Sequence, residues 1–260
     1  MDAGKVDRIL AVIQQTSGLL FSSFSVLHLS GHLLATFSFA WADAALYTSR
    51  VFYQNPIVEP LVIGVALCGH IGSSVARILI RLRRQKNART VKNESQRKEE
   101  PAPSQASAYP TQSVAVKELR WHRYTGYVLT AFIGGHLIAT RLTPINVFDD
   151  PPIVDLTWIT TTLNGNLRFL FFPYYAVFGT AGIYHTAYGI QQSVRMLRMS
   201  RKSVKPGTWT KLMYTSGILM TTALLAIAGT FETIPIPLAS KWKELDDGIT
   251  KAALGLLRLS

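Results

Sequence analysis

Residues 58–80, VEPLVIGVALCGHIGSSVARILI, form a long apolar stretch. Between Glu59 and Arg77 it contains no charged side chain, and a helix of about 20 residues is enough to cross the hydrocarbon core of a bilayer. The stretch does not alternate polar and apolar residues as a barrel strand does. It therefore predicts a transmembrane helix, and that helix carries a histidine, His70, which needs a partner in so dry a setting.

Four further apolar runs have a similar length. They are residues 17–40, 124–143, 169–192 and 212–231. A soluble core of buried helices is disfavoured, because five runs of this length are present and most lack internal charge. The predicted fold class is an all-α, polytopic membrane bundle of five transmembrane spans.

The formal net charge is +12, and most of it lies on one predicted side of the membrane. Five spans place the N-terminus and the connections at 81–123 and 193–211 on the same side, together with most of the 27 lysine and arginine residues. Since basic loops stay on the cytosolic or matrix side, this side is predicted to face one of those compartments. The basic residues flank spans and lack interleaved aromatic residues, so they indicate attraction to the lipid bilayer rather than nucleic-acid binding.

Cysteine usage and the N-terminus limit the class of protein further. The single cysteine, Cys68, excludes an intrachain disulfide, and the absence of a CxxCH motif excludes covalently attached c-type haem. The N-terminal MDAGKVDRILAVIQQ resembles neither a secretory signal nor an acid-poor cleavable presequence. Organellar targeting is therefore expected to depend on internal signals.

A charged segment that is then rich in proline, serine and alanine divides the chain. Residues 83–117 lack hydrophobic periodicity and are predicted to be a disordered linker. The first part, residues 1–82, holds spans one and two, and residues 118–200 hold spans three and four. Residues 201–260 hold span five and a tail.

The two pairs of spans resemble each other. Thr16-Ser17-Gly18 precedes His28 by ten residues, and Tyr124-Thr125-Gly126 precedes His136 by the same spacing. His70 in span two and His185 in span four each lie shortly before the basic end of their helix. At 1.5 Å per residue, His28 and His136 lie roughly 20 Å from the basic boundary, and the other two lie roughly 10–15 Å from it. The pattern predicts a duplicated pair of spans with histidines at two matched depths.

Axial ligation of b-type haem is one interpretation of these histidines. Two neutral imidazoles from facing helices complete an iron site, which pairs His28 with His136 and His70 with His185. Nearby small residues would let a flat macrocycle approach the backbone, and Arg77 and Arg123 are candidate partners for its propionates. These small residues are Ser30, Gly31, Gly69, Gly72, Gly134, Gly135, Gly182 and Gly189.

The alternative is that each histidine hydrogen-bonds to a serine, a threonine or a carbonyl of a neighbouring helix, with glycines serving helix packing. The sequence leaves both interpretations open. His32 is expected to be a packing residue, and His122 is expected to face headgroups. A proton relay would need acidic partners inside the membrane, and only Glu59 comes close.

The motifs HRYTG (122–126) and YHTAYGI (184–190) resemble the membrane anchor of succinate dehydrogenase and fumarate reductase. The resemblance is to the branch with two haems and five spans, and it covers all five spans. It implies the haem ligands His28 with His136 and His70 with His185. It also implies a quinone pocket near Ser17, Arg123 and Thr125, and respiratory dehydrogenase subunits as partners.

The stretch YQNPIVEPLVIGVALCGHIGSSVARILIRLRR (53–84) resembles a second family with the same frame. These are eukaryotic mitochondrial outer-membrane proteins that complement defects of mitochondrial morphology and recruit a bridge-like lipid-transfer protein. The resemblance implies a role in lipid homeostasis and organelle contact, with partners binding the cytosolic linker 83–117. The recruiting proline motif of that family is matched here only by a Pro-x-Pro at 101–103.

The second resemblance therefore implies a mitochondrial membrane protein of the adaptor type, and the sequence leaves open whether the chain takes part in an enzyme. A transporter built on the duplicated halves is a further class. Its N-terminus and the linker 83–117 are expected on the cytosolic side. The electron-transferring respiratory anchor is the alternative.

Overall fold

The computed structural model describes residues 3–96, 113–142, 146, 155–199, 204–205 and 207–258. This described part is all-helical and contains no strand. Its eight α-helices, α1 to α8, are Ala3–Leu34, Phe39–Tyr53, Ala66–Gln96, Val114–Leu137, Leu156–Asn164, Arg168–Met196, Thr208–Ile227 and Ala239–Arg258. Two short π-helical segments, Glu59–Val65 and Ile138–Leu142, precede α3 and follow α4.

Three helices of the described part are long and apolar enough to span a membrane, which indicates a membrane protein. They are Gly4–Leu34, Glu59–Thr90 and Thr208–Ile227. Predicted spans three and four, which lie in α4 and α6, are not among these three helices, so the structure supports three of the five predicted spans. Many large apolar side chains on the outer surface are exposed, among them Phe169 and Ile218. Exposure on this scale is expected of a surface that meets lipid.

Helices α1 and α6 form the centre of the bundle. Helix α1 packs against α2, α3, α6 and α7, while α6 also packs against α4 and α7. The chain therefore brings the predicted spans one to four around a common interior, with α7 on the outside of α6.

Helices α2, α5 and α8 form a cap at one end of the bundle. The cap lies at the ends of α1, α4 and α7, opposite the basic connections. Its centre is apolar: the rings of Trp158 and Trp242 lie 5.6 Å apart. The indole N–H of Trp242 donates to Thr157 Oγ1 at 2.9 Å, so the one polar atom of this buried ring is satisfied.

Local sequence signals account for several helix ends. The Asp155 carboxylate caps α5 by accepting from the Thr157 backbone N–H at 2.8 Å. At the end of α7, Gly229 adopts φ +82°, and its N–H donates to the Ala226 carbonyl. The Thr230 N–H donates to the Leu225 carbonyl, which completes a Schellman motif. The positive φ explains the glycine at this position.

The structure differs from the sequence prediction in two places. The apolar pattern predicts a first span that reaches residue 40, but α1 ends at Leu34, because Ser38 begins a new helix by accepting from the Trp41 N–H. The disorder predicted for 83–117 does not hold at its two ends, since α3 continues to Gln96 and α4 begins at Val114. Arginine, lysine and glutamine are good helix formers, and residues 73–96 contain no glycine or proline. Residues 97–112 lie outside the described part.

Candidate functional site

All six histidines of the chain line one internal cavity of about 620 Å³. The cavity lies between the four helices that correspond to predicted spans one to four, and residues of α5 and α7 close part of its wall. Its volume is in the range of sites that bind a drug-sized or cofactor-sized molecule, about 300–1,000 Å³. The histidines therefore face a shared space.

His70 and His185 face each other across this cavity. Their ring centroids are 6.0 Å apart and their planes are inclined at 83°. His70 Nδ1 lies 2.9 Å from the Gln14 carbonyl oxygen, and His185 Nδ1 lies 3.1 Å from the His122 carbonyl oxygen. A carbonyl oxygen only accepts, so Nδ1 must carry the proton in each ring. In a neutral imidazole this leaves Nε2 unprotonated, the form in which histidine binds a metal. The same two contacts are the hydrogen bonds to carbonyls of neighbouring helices that the alternative interpretation predicts.

Two glycines make room for these rings. A Cβ atom added at Gly18 would lie 2.6 Å from His70 Nδ1, and one added at Gly126 would lie 2.9 Å from His185 Cε1. Each glycine follows by four residues the carbonyl that its histidine contacts. The two halves of the chain thus make equivalent contacts. In each half, one helical turn provides the carbonyl that accepts from the histidine and the glycine that leaves room for its ring.

His28 and His136 form a second facing pair. Their ring centroids are also 6.0 Å apart, with an interplanar angle of 69°. This pair has aromatic neighbours: Phe24 stacks on His28 at 5.1 Å, and Phe178 lies 5.1 Å from His136. The Nδ1 atoms of both rings are buried and have no hydrogen-bond partner in the described part of the chain. The second pair thus has the same spacing as the first but a less polar setting.

His32 and His122 extend the two pairs. His32 lies 4.7 Å from His28 in an edge-on arrangement, consistent with the predicted packing role. His122 does not face headgroups as expected, since its ring stacks on His185 at 4.2 Å and on Tyr188 at 4.8 Å. Helix α4 begins at Val114, which places His122 two turns inside the helix, where it borders the cavity.

Only one of the two predicted arginines borders the cavity. Arg123 does so, whereas Arg77 is directed away, donating to Asp7 at 3.0 Å and to the side chain of Gln14. Arg81, one turn after Arg77, lines the cavity instead. The sequence could not distinguish these two arginines, because both lie at the basic end of the same helix.

An ion pair joins the two halves of the chain at the opposite end of the cavity. The Arg141 guanidinium donates two hydrogen bonds of 2.6 Å to the Glu59 carboxylate. Glu59 is thus held by a cation rather than available as a relay group. Both residues belong to the π-helical segments, so the pair connects the start of α3 to the end of α4.

The glycines predicted to make room for a ligand differ in whether they border the cavity and in how closely other atoms approach them. Gly182 and Gly189 line the cavity, whereas a Cβ at Gly72, Gly134 or Gly135 would meet no atom within 4 Å. A Cβ at Gly31 would lie 2.7 Å from Leu46, and the close contacts with histidine rings are at Gly18 and Gly126. These are the glycines that the sequence repeats ten residues before a histidine.

Of the polar residues in the predicted quinone pocket, two form hydrogen bonds within their own helices and one borders the cavity. Ser17 Oγ donates to the Ile13 carbonyl, and Thr125 Oγ1 donates to carbonyls of its own helix. Of the three predicted residues, Arg123 alone borders the cavity. The Ser17 hydroxyl therefore contributes to its own helix, whereas Thr125 Oγ1 also lies 3.4 Å from His185 Nδ1.

The described part of the chain contains no group of three or more histidine, cysteine, aspartate or glutamate side chains suited to a bare metal ion. Each histidine pair offers two nitrogen donors, which is the number that a metal already held by a macrocycle requires. A scan of protein-family models, a search of curated proteins and a search of solved structures each returned no match.

Proposed function

We propose that the chain is a five-span membrane protein of cytochrome b-like architecture that binds b-type haem between two pairs of histidines. His28 and His136 would hold one iron atom, and His70 and His185 would hold the other. The observation that carries the proposal is the pair His70 and His185, in which both Nδ1 atoms are directed at backbone carbonyls. Histidines that bind metals commonly donate the second ring N–H to a carbonyl or carboxylate, and this fixes the tautomer.

The spacing of the rings supports the same proposal. His28 with His136, and His70 with His185, would hold the iron of a haem through one imidazole nitrogen each. In both histidine pairs the ring centroids are 6.0 Å apart, so each pair brings two imidazoles from facing helices close together across the cavity. Both pairs share this spacing, as expected if the two halves of the chain hold the same kind of ligand.

The role of the chain's own residues follows from this arrangement. The carbonyls of Gln14 and His122 orient the rings, and Gly18 and Gly126 allow the rings to approach the helices. The cap helices α2 and α5 cover the cavity near His28 and exclude water there. Haem held in such a site supplies one-electron transfer.

A reduced-minus-oxidised absorption spectrum of the purified, folded protein tests the proposal. We expect a b-type α band that is lost in part in His185→Ala. The matched control is His32→Ala, which removes a cavity histidine outside both pairs and should keep the full band. Folded wild-type protein with no such band, after expression with adequate haem supply, would contradict haem binding.

We also propose the cellular setting that the second resemblance implies: a mitochondrial outer-membrane adaptor in lipid homeostasis, with its basic side in the cytosol. The supporting observation is that α3 continues about 24 Å beyond residue 80, and that residues 81–90 are all exposed. Such a stem would present the linker to a lipid-transfer or tethering partner. Protease cleavage within 83–117 on intact mitochondria is expected, and protection until the inner membrane is opened would contradict it.

The respiratory anchor is the alternative that shares the haem frame. It would pass electrons from dehydrogenase subunits to quinone, while the chemistry on the dicarboxylate would lie on those subunits. It predicts co-purification with soluble dehydrogenase subunits and loss of succinate–quinone activity on deletion. A protein that keeps its b-type band but has neither property supports the adaptor setting over the anchor.

A further inference from the structure

We infer that Arg81 and Arg123 form a binding site for the phosphate of an anionic phospholipid at the basic mouth of the cavity. The two residues come from different halves of the chain, Arg81 from α3 and Arg123 from α4, and both line the cavity. This site shares the cavity with the histidine pairs, and Arg123 directly follows His122, but phosphate binding does not depend on the proposed haem.

The directions of the two helices bring the guanidinium groups towards each other. Side chains of a helix lean towards its N-terminus. Helix α3 runs from the capped end to the basic end, so Arg81 leans into the cavity, whereas Arg123 near the start of α4 leans out towards the basic surface. The two residues lie within electrostatic range of each other, and Arg77, Tyr127 and Asp7 lie within range of Arg81.

Within the residues that the structure describes, no carboxylate pairs with the two arginines at this end of the cavity. Asp7, the nearby carboxylate, is engaged by Arg77 at 3.0 Å. The acidic residues that line the cavity are Glu59 and Asp155, which lie at the capped end and are held by Arg141 and by the start of α5. Within the described part of the chain, neither Arg81 nor Arg123 forms an ion pair. Two arginines at an apolar opening without a carboxylate fit an anionic oxygen group.

The depth of the site favours a lipid phosphate over the carboxylates of a macrocycle. Arg81 is eleven residues beyond His70, which corresponds to about 16 Å along α3 and places it at the level of the headgroups. Basic pockets between transmembrane helices on the cytosolic or matrix side bind anionic headgroups. The lining next to the arginines includes Val75, Ile78 and Tyr127, which would contact the first part of an acyl chain.

The experiment measures lipid retention by native mass spectrometry of the full-length protein, with phosphatidylglycerol and phosphatidylcholine of identical chains as probes. We expect the wild-type protein to retain one phosphatidylglycerol molecule in preference to phosphatidylcholine. R81Q/R123Q should reduce this preference about tenfold or more, since two charge-assisted contacts to phosphate are removed. The matched control is R83Q/R84Q, which removes the same charge from exposed positions outside the cavity and should keep the preference.

Both double variants are compared after circular dichroism has shown that they retain the helix content of the wild type. An equal loss of preference in the two double variants would attribute it to diffuse surface charge and overturn the site. Unchanged preference in R81Q/R123Q would overturn it as well. Loss of the b-type band in R81Q/R123Q with unchanged lipid preference would assign the arginines to macrocycle carboxylates instead. A protein without haem that keeps the lipid preference would support this site while contradicting the proposed function.

Discussion

The contact between Gly126 and the ring of His185 offers a direct test of how the site is built. In Gly126→Ala the new methyl carbon would lie 2.9 Å from His185 Cε1 and 3.4 Å from Nδ1. Carbon atoms in good contact are about 3.5–4.0 Å apart, so the ring must move. Overpacking of this kind costs about 1–3 kcal/mol, and the better helix propensity of alanine offsets about 1 kcal/mol of that.

Gly134→Ala is the matched control, because it lies in the same helix and its added methyl group would meet no atom within 4 Å. We expect this variant to be neutral or up to about 1 kcal/mol more stable than the wild type. The two variants should therefore differ by about 1–3 kcal/mol in the free energy of unfolding. Denaturant unfolding in one detergent, followed by circular dichroism, measures this difference.

Movement of the ring also lengthens the hydrogen bond from His185 Nδ1–H to the His122 carbonyl, now 3.1 Å. In haem-loaded protein, Gly126→Ala should change the electron paramagnetic resonance signal of one site and leave the other unchanged. If Gly126→Ala matches Gly134→Ala in stability and in spectrum, the glycine does not seat His185, and the proposed role of the repeated glycines is refuted. Gly18→Ala repeats the test at His70, where the overlap is larger.

Three further predictions concern the frame around the site. Arg141→Gln should destabilise the protein by about 1–3 kcal/mol, because the Glu59 carboxylate loses two hydrogen bonds to a cation, and E59Q/R141Q should recover part of the loss in the same unfolding assay. Thr157→Val should cost about 1–3 kcal/mol by removing the hydroxyl that accepts from the buried indole N–H of Trp242 and donates to the Asp155 carboxylate, whereas Thr161→Val should cost less, since that hydroxyl bonds only within its own helix. Asp246→Ala should lower the thermal midpoint, because the carboxylate accepts the Asn166 backbone N–H before α6.

The histidine pairs were predictable from the sequence because their cause is visible along the chain. Equal spacing from a glycine to a histidine in two spans places the histidines at equal depths in a bundle. The structure brings His28 to His136 and His70 to His185, in the pairs that equal depth predicts. The depth of a residue in a transmembrane helix depends only on its distance along the chain from the helix end, at 1.5 Å per residue, so it can be read from the sequence.

The cap and the arginines were not predictable in the same way. Helix α5 has only nine residues and lies in a segment that the sequence predicts to be a loop between spans three and four. It is buried by Trp242, which comes from the C-terminal helix α8. Arg77 and Arg81 differ by one turn and have the same charge. Which of them faces the cavity depends on Asp7, which holds Arg77 from a neighbouring helix. Such three-dimensional pairing has no signature in a single sequence.

The ratio of haem to polypeptide tests the proposed pairing of the histidines most directly. It should be measured on wild-type protein and on the two single variants His28→Ala and His185→Ala, each purified in the same detergent and checked for helix content. We expect two haems per chain in the wild type and one in each variant, with a different site lost in each. A folded wild-type protein without haem, or variants that keep the wild-type ratio, would contradict the proposed pairing.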